Sequence, residues 1–212
     1  MDTILAAKNL CFLEKITYPN IDIERNRATF ICGESGCGKS TLLKIFNGTV
    51  SPSRGEVTYN GASLTALNTV RLRREVLLIA QTVFLFDGTI EDNFRQYYAF
   101  REQPLLPANE MKIYLSLCCA NFDLLMDCAT MSGGERQRVF IAICLSFLPK
   151  VVLLDEPTSA LDEKTANQFF ISICQFCTQN SITLIVVSHD KSLIDRYADN
   201  TITLAAPKET II

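Results

Sequence analysis

The sequence predicts an α/β fold organised on a mainly parallel sheet, and three observations carry that prediction. Val76–Ala80, Val151–Leu154 and Thr183–Val187 are short continuous apolar runs, the pattern of strands covered on both faces. Helical patterns occur between and around these runs, at Leu64–Arg74, Gly134–Phe147 and Glu163–Thr178, and strand–helix alternation is what the crossovers of a parallel sheet require. A further apolar strand, Phe30-Ile31-Cys32, leads directly into the glycine-rich segment Gly33–Ser40 and then into a helical run.

Taken in order, the chain to about Gly61 alternates polar and apolar residues around Thr29–Cys32 and carries turn signals at Tyr18-Pro19-Asn20, Ser51-Pro52-Ser53 and Asn60-Gly61. This reads as short strands, the glycine loop and one helix. Gln81 stands where the Val76–Ala80 strand ends. From Thr89 the pattern turns helical, with Pro104 and Pro107 marking a loop. We expect one domain over residues 1–212, with a helical subdomain at about 89–147 inserted in the core; 212 residues lie near the upper end for a single domain.

Composition narrows the function classes. An apolar fraction of 48%, a charged fraction of 20% and a net charge of −3 give no general surface for nucleic acid or anionic membrane. Met1–Leu10 lacks the basic-then-apolar order of a secretory leader, so a cytosolic location is expected. Val139–Leu154 is broken by Ser146, Pro149 and Lys150 and falls short of the roughly 18 apolar residues of a spanning helix. Any membrane link is therefore expected to come through a partner. Nine cysteines read as reduced thiols. The lone Cys174-x-x-Cys177 pair has no second pair or spaced histidine and reads as a half-buried helix face, so no metal ligand is assigned there.

The glycine segment carries chemistry. Gly33-Glu34-Ser35-Gly36-Cys37-Gly38-Lys39-Ser40 fits G-x-x-x-x-G-K-[ST] and lies between a strand and a helix, the context the motif needs. Its glycines let the backbone wrap a polyphosphate, amides at the helix start point toward it, Lys39 supplies a point charge and Ser40 a magnesium ligand. Thr41 continues the same helix start. Cys37 lies inside the loop and reads first as a small residue filling it; the alternative is a thiol whose modification blocks nucleotide without being catalytic.

Two further segments stand out. Val151–Leu154 ends in Asp155 and Glu156, at the strand end where a parallel sheet presents functional groups; Asp155 suits a magnesium shell and Glu156 suits polarising a water. Ser132-Gly133-Gly134-Glu135 precedes the Gly134–Phe147 helix, so a hydroxyl and free amides crowd a second helix start. The plain alternative is a serine cap with a glycine turn. Two phosphate-binding helix starts in one chain suggest that the second serves a nucleotide held by another copy.

This set of motifs resembles the nucleotide-binding domain of ABC ATPases over nearly the whole chain. In that resemblance Gly33–Ser40 is the Walker A loop, Gln81 the Q-loop residue and Met131–Glu135 the signature. Val151–Asp155 is the Walker B strand, Glu156 the catalytic carboxylate, Ser159–Asp162 the D-loop and His189, the only histidine, the switch residue. Departures are Met131 for the common Leu, Glu135 for Gln, and Ile141-Ala142-Ile143-Cys144 where Ile-Ala-Arg-Ala is usual. Phe12 is the candidate adenine-stacking aromatic, with Glu14 where Tyr often stands.

The resemblance implies a P-loop NTPase core with an N-terminal antiparallel β portion and a helical subdomain. It also implies ATP and Mg2+ as cofactors, with Ser40, Gln81 and Asp155 at the metal. ATP on Gly36, Gly38, Lys39 and Ser40 of one subunit would be closed over by Ser132, Gly133 and Gly134 of a second copy or a paralogue, with Asp162 contributing at the D-loop. Glu156 would act on the attacking water, His189 on the γ-phosphate, and Gln81 would report to a separate transmembrane permease subunit. The chain begins just before its first strand and stops soon after its last, so the permease is expected to be another polypeptide and this chain to sit peripherally on the inner face of the membrane. Its length and its closing motifs are most similar to the small bacterial iron-export type. A soluble ABC-type ATPase of DNA repair or chromosome maintenance is the alternative function, but no heptad run or basic face supports it. A non-hydrolytic nucleotide-gated scaffold is a third reading, opposed by Glu156 and His189.

Overall fold

A computed structural model describes residues 2–205 of the chain. The first layer is antiparallel: β1 (Thr3–Phe12) pairs with both β2 (Ile16–Thr17) and β3 (Ile21–Glu24). The chain then enters β4 (Ala28–Gly33), the glycine loop and α1 (Lys39–Phe46), before β5 (Arg54–Tyr59) and β6 (Ala62–Ser63) return to the antiparallel sheet beside β1. Asn60-Gly61 is the tight turn between the last two, with Asn60 at φ 50° and Gly61 at φ 77° as a left-handed hairpin turn requires.

The Leu64–Arg74 segment is not one helix. A 3-10 turn at Leu64–Ala66 is followed by α2 (Thr69–Glu75), because the Asn68 side chain accepts a hydrogen bond from the Arg71 amide and starts the helix afresh. Next come β7 (Val76–Ile79), α3 (Ile90–Phe100), α4 (Ala108–Leu117) and α5 (Gly133–Ser146), then β8 (Val151–Asp155), α6 (Glu163–Gln179), β9 (Thr183–Val187), α7 (Lys191–Tyr197) and β10 (Asn200–Leu204). Pro107 stands at the N-cap of α4, where its missing amide costs nothing.

Strands β10, β4, β9, β8 and β7 form, in that order, a wholly parallel sheet. The continuous apolar runs follow from its two covered faces. In β8, Val151 and Leu153 join a core with Leu42, Leu43 and Phe46 of α1 and the antiparallel sheet, whereas Val152 and Leu154 join a core with Phe94, Ile141, Phe169 and Phe170 of the helices. Strand β9 splits in the same way, Ile185 and Val187 to the first core and Leu184 and Val186 to the second. Each fully buried Phe, Leu or Ile contributes about 1.5–3 kcal/mol. The second core continues from the sheet into α3, α4 and α5.

Ile141, Ala142, Ile143 and Cys144 are all buried in that core, so the position where arginine is usual holds packing side chains here. Cys174 is half-buried and Cys177 buried on α6, and burial pushes their thiols up to about 11 and about 12. These thiols stay protonated and pack as small hydrophobes. Among the described residues no helix is long and apolar enough to cross a membrane.

Candidate nucleotide site

Because the five core strands are parallel, β4, β7, β8 and β9 release their following residues on one edge. That edge receives the glycine loop, Gln81, the Asp155-Glu156 pair and His189. The register is direct: Ile31 of β4 and Asp155 of β8 both stand opposite Val187 of β9.

The loop is built for close backbone approach. Gly36 and Gly38 have φ 80° and 97°, which an L side chain rarely adopts. A Cβ on Gly33 would lie 2.6 Å from the Leu204 carbonyl oxygen, and one on Gly38 would lie 2.7 Å from the Tyr18 hydroxyl. Lys39 is buried at the start of α1 and donates through Nζ to the Gly33 and Glu34 carbonyls at 3.0 and 2.8 Å. Its ammonium is thereby held over the arch formed by the exposed Glu34, Ser35 and Gly36. Ser40 and Thr41 are half-buried in the first turn, whose amides have no intrahelical acceptor. Cys37 is buried, with its sulfur 4.0 Å from Lys39 Nζ.

Tyr18 belongs to a turn signal in the sequence, yet it anchors the loop. It is buried and its hydroxyl donates to the Gly38 carbonyl at 3.0 Å; burial pushes that hydroxyl up to about 12. Only the folded hairpin reveals this role, since Tyr18 lies 20 residues before its partner. Phe12 is half-buried at the end of β1, opposite Ile16, whose side chain lines Gly38. Tyr18→Phe keeps the ring and removes one hydrogen bond, and should lower unfolding free energy by about 0.5–1.5 kcal/mol. Urea denaturation checks this, and loss of ATP affinity should accompany it.

Asp155 is buried at the end of β8 and has no ion pair among the described residues. A buried carboxylate without an ion-pair partner suits the oxygen donors a divalent ion takes. Glu156 follows in the left-handed region at φ 50°, a conformation that costs a non-glycine residue about 1–3 kcal/mol. Its amide donates to the Val187 carbonyl at 3.1 Å, and its Oε1 lies 3.0 Å from His189 Nε2. Together they line an open cleft of about 510 Å³ with Ser159, Ser188 and Asp190.

Not every predicted residue meets this cluster. Gln81 is exposed beyond the end of β7 and its side chain has no hydrogen bond among the described residues. Asp162 caps α6, accepting from the Thr165 amide and hydroxyl at 3.0 and 2.7 Å, and these bonds hold its carboxyl below the usual range. Asp190, which lines the Glu156–His189 cleft, also caps α7 and accepts from Ser192. Ser132 caps α5 with Gly133 and Gly134 in its first turn, and no hydrogen bond joins residues 132–135 to residues 33–41. Two residues unmarked in the sequence tie this helix to the segment around Gln81. Arg136 donates to the Leu85 and Cys128 carbonyls at 3.1 and 2.6 Å, and Gln137 to the Ala80 carbonyl at 3.5 Å.

A parallel sheet presenting this loop and carboxylate pair defines an α/β domain of the phosphate-loop nucleotide-binding class. The family model of the ABC transporter matches residues 16–159, and the chain belongs to that family. It is 36% identical over 185 residues to the probable iron export ATP-binding protein FetA of Escherichia coli (strain K12), covering 87% of this chain and 82% of that protein. It is 32% identical over 200 residues to the phosphonates import ATP-binding protein PhnC of Wolinella succinogenes, covering 88% and 73%. Its fold superposes with a TM-score of 0.82 on cbiO1 of Clostridium perfringens, described as part of the ABC transporter complex cbiONQ, at 26% identity and over 96% of this chain and 85% of that one. The chain is an ATP-binding, ATP-hydrolysing member of the family. These relatives lend nothing to the reading as a DNA-repair or chromosome-maintenance ATPase.

Proposed function

We propose that this chain powers a transporter by closing over ATP with a second copy of itself or a paralogue, each subunit's Ser132-Gly133-Gly134 completing the phosphate site of the other. What supports this reading is that the two helix starts share no hydrogen bond within one chain: Lys39–Thr41 begins α1, and Ser132 caps α5. ATP is held by Gly33–Thr41, with Phe12 beside the loop for the adenine. Ser40, Asp155 and Gln81 would hold Mg2+, and the ion would supply charge neutralisation at the phosphates. Glu156 orients and deprotonates the attacking water, His189 contacts the γ-phosphate, and Asp162 fixes the turn that faces the partner. On Glu156→Gln chains with ATP, size exclusion should give a dimer. Adding Ser132→Arg should return a monomer that still binds ATP; a dimer that survives this second change would remove the signature from the site.

The membrane link is a separate permease, which places the chain peripherally at the cytoplasmic face. Supporting this, Phe84 and Phe100 are 63% and 62% exposed and pack with Phe86 and Tyr97 into an aromatic patch. The patch lies on the segment that follows Gln81, and exposed apolar patches mark protein–protein surfaces. FetA's name points to iron export, and its 36% identity makes an exported metal the substrate class of first choice. Phe84→Ser with Phe100→Ser should leave the chain's own ATP turnover intact and release it from detergent-solubilised membranes into the supernatant. Unchanged retention with an untagged membrane subunit would place docking elsewhere.

A further inference from the structure

The start of α5, read from sequence as a second anion site lacking a lysine, already carries an anion of its own. Glu135 Oε2 accepts the Ser132 hydroxyl at 2.7 Å and the Ser132 amide at 2.8 Å, while the Glu135 amide donates back to Ser132 Oγ at 3.4 Å. A serine hydroxyl has one hydrogen and an amide has one. Two donors at this helix start are therefore turned to an intrachain carboxylate, which also offsets the positive end of the helix dipole. Those hydrogen bonds hold the Glu135 carboxyl below the usual range, with the Ser132 hydroxyl the largest cause, so it is ionised at neutral pH. A glutamine at this position would make the same contacts without the charge.

A second partner for that carboxylate stands one turn along. The Arg138 Nε is buried and has no acceptor among the described residues, and a Cβ on Gly134 would lie 3.7 Å from its Nη1. The guanidinium thus flanks the first turn of α5, and its charge is a lesser influence holding the Glu135 carboxyl low, after the Ser132 bonds.

We propose that Glu135 is a positioning residue that latches Ser132 in the isolated subunit, and that the partner's triphosphate engages the signature only after this carboxylate leaves Ser132 for Arg138. The inference rests on the composite site proposed above. It assigns Glu135 an opposing role: its charge sets how much ATP is needed to close the dimer, while ATP binding to the Lys39 side of the monomer is untouched.

The test compares Glu156→Gln with the double variant Glu135→Gln/Glu156→Gln, titrating ATP and reading dimer by analytical ultracentrifugation and monomer affinity by equilibrium binding at high dilution. The expected result is a midpoint for dimerisation about three- to thirtyfold lower in the double variant. Monomer affinity should be equal, and the gap should narrow at high salt, where like-charge repulsion is screened. Adding Arg138→Gln to the Glu156→Gln chain should raise the midpoint, with circular dichroism confirming the fold. Equal midpoints in the first comparison, a higher one in the double variant, or a salt-insensitive gap would each overturn the latch. No ATP-dependent dimer in any variant would instead overturn the composite site beneath it.

Discussion

Glu156→Gln should reduce ATP turnover by about two to four orders of magnitude, the usual contribution of a positioned acid–base group, while leaving ATP binding intact. Glu156 occupies the left-handed region at φ 50°, held by its amide bond to the Val187 carbonyl and pinned on the sheet side by the buried Asp155. This conformation turns the side chain to His189, 3.0 Å away, and into the cleft shared by β8 and β9. Glutamine preserves size and the backbone, so the loss reports removal of the carboxylate's charge and basicity, including its contact with His189. Steady-state phosphate release checks it; turnover within about threefold of wild type would remove Glu156 from the chemistry.

Lys39→Ala should weaken ATP binding by about ten- to a hundredfold, the range expected when a charge-assisted contact worth about 1.5–3 kcal/mol is lost. The ammonium is buried and already supported by two loop carbonyls, Gly33 and Glu34, so ordering it on the phosphates takes little further entropy. The same two bonds tie the loop together, so the variant should also lose some thermal stability. Equilibrium binding with a fluorescent ATP analogue reads the first effect and circular dichroism melting the second. Wild-type affinity in a folded Lys39→Ala chain would contradict the assigned role.

What could be read directly from the sequence was chemistry that is local in the chain. The Gly33–Ser40 loop, the Asp155-Glu156 pair and the apolar runs of β8 and β9 each declare themselves within a few residues, because strand burial on two faces and phosphate wrapping impose short patterns. The strand positions and the edge on which the candidate side chains gather follow from those patterns. Contacts between distant segments were not legible. The Tyr18 hydroxyl meets Gly38 only because β1 and β2 fold beside α1, and Arg136 meets Leu85 only because α5 packs on the segment after β7. Side-chain capping was also hidden. Asn68 interrupts a helical pattern that reads as continuous, and Asp162, expected at the D-loop, also holds a helix start. Glu135 combines both difficulties: its position marked it as a mild departure, and only the geometry turns it onto Ser132.

The composite site is tested most directly by the rate of ATP hydrolysis as a function of subunit concentration. The account predicts a supralinear rise, with activity per subunit climbing until dimers saturate, because Ser132 of one chain completes the site on Lys39 of another. Activity strictly proportional to concentration, from a chain that remains monomeric throughout, would contradict it.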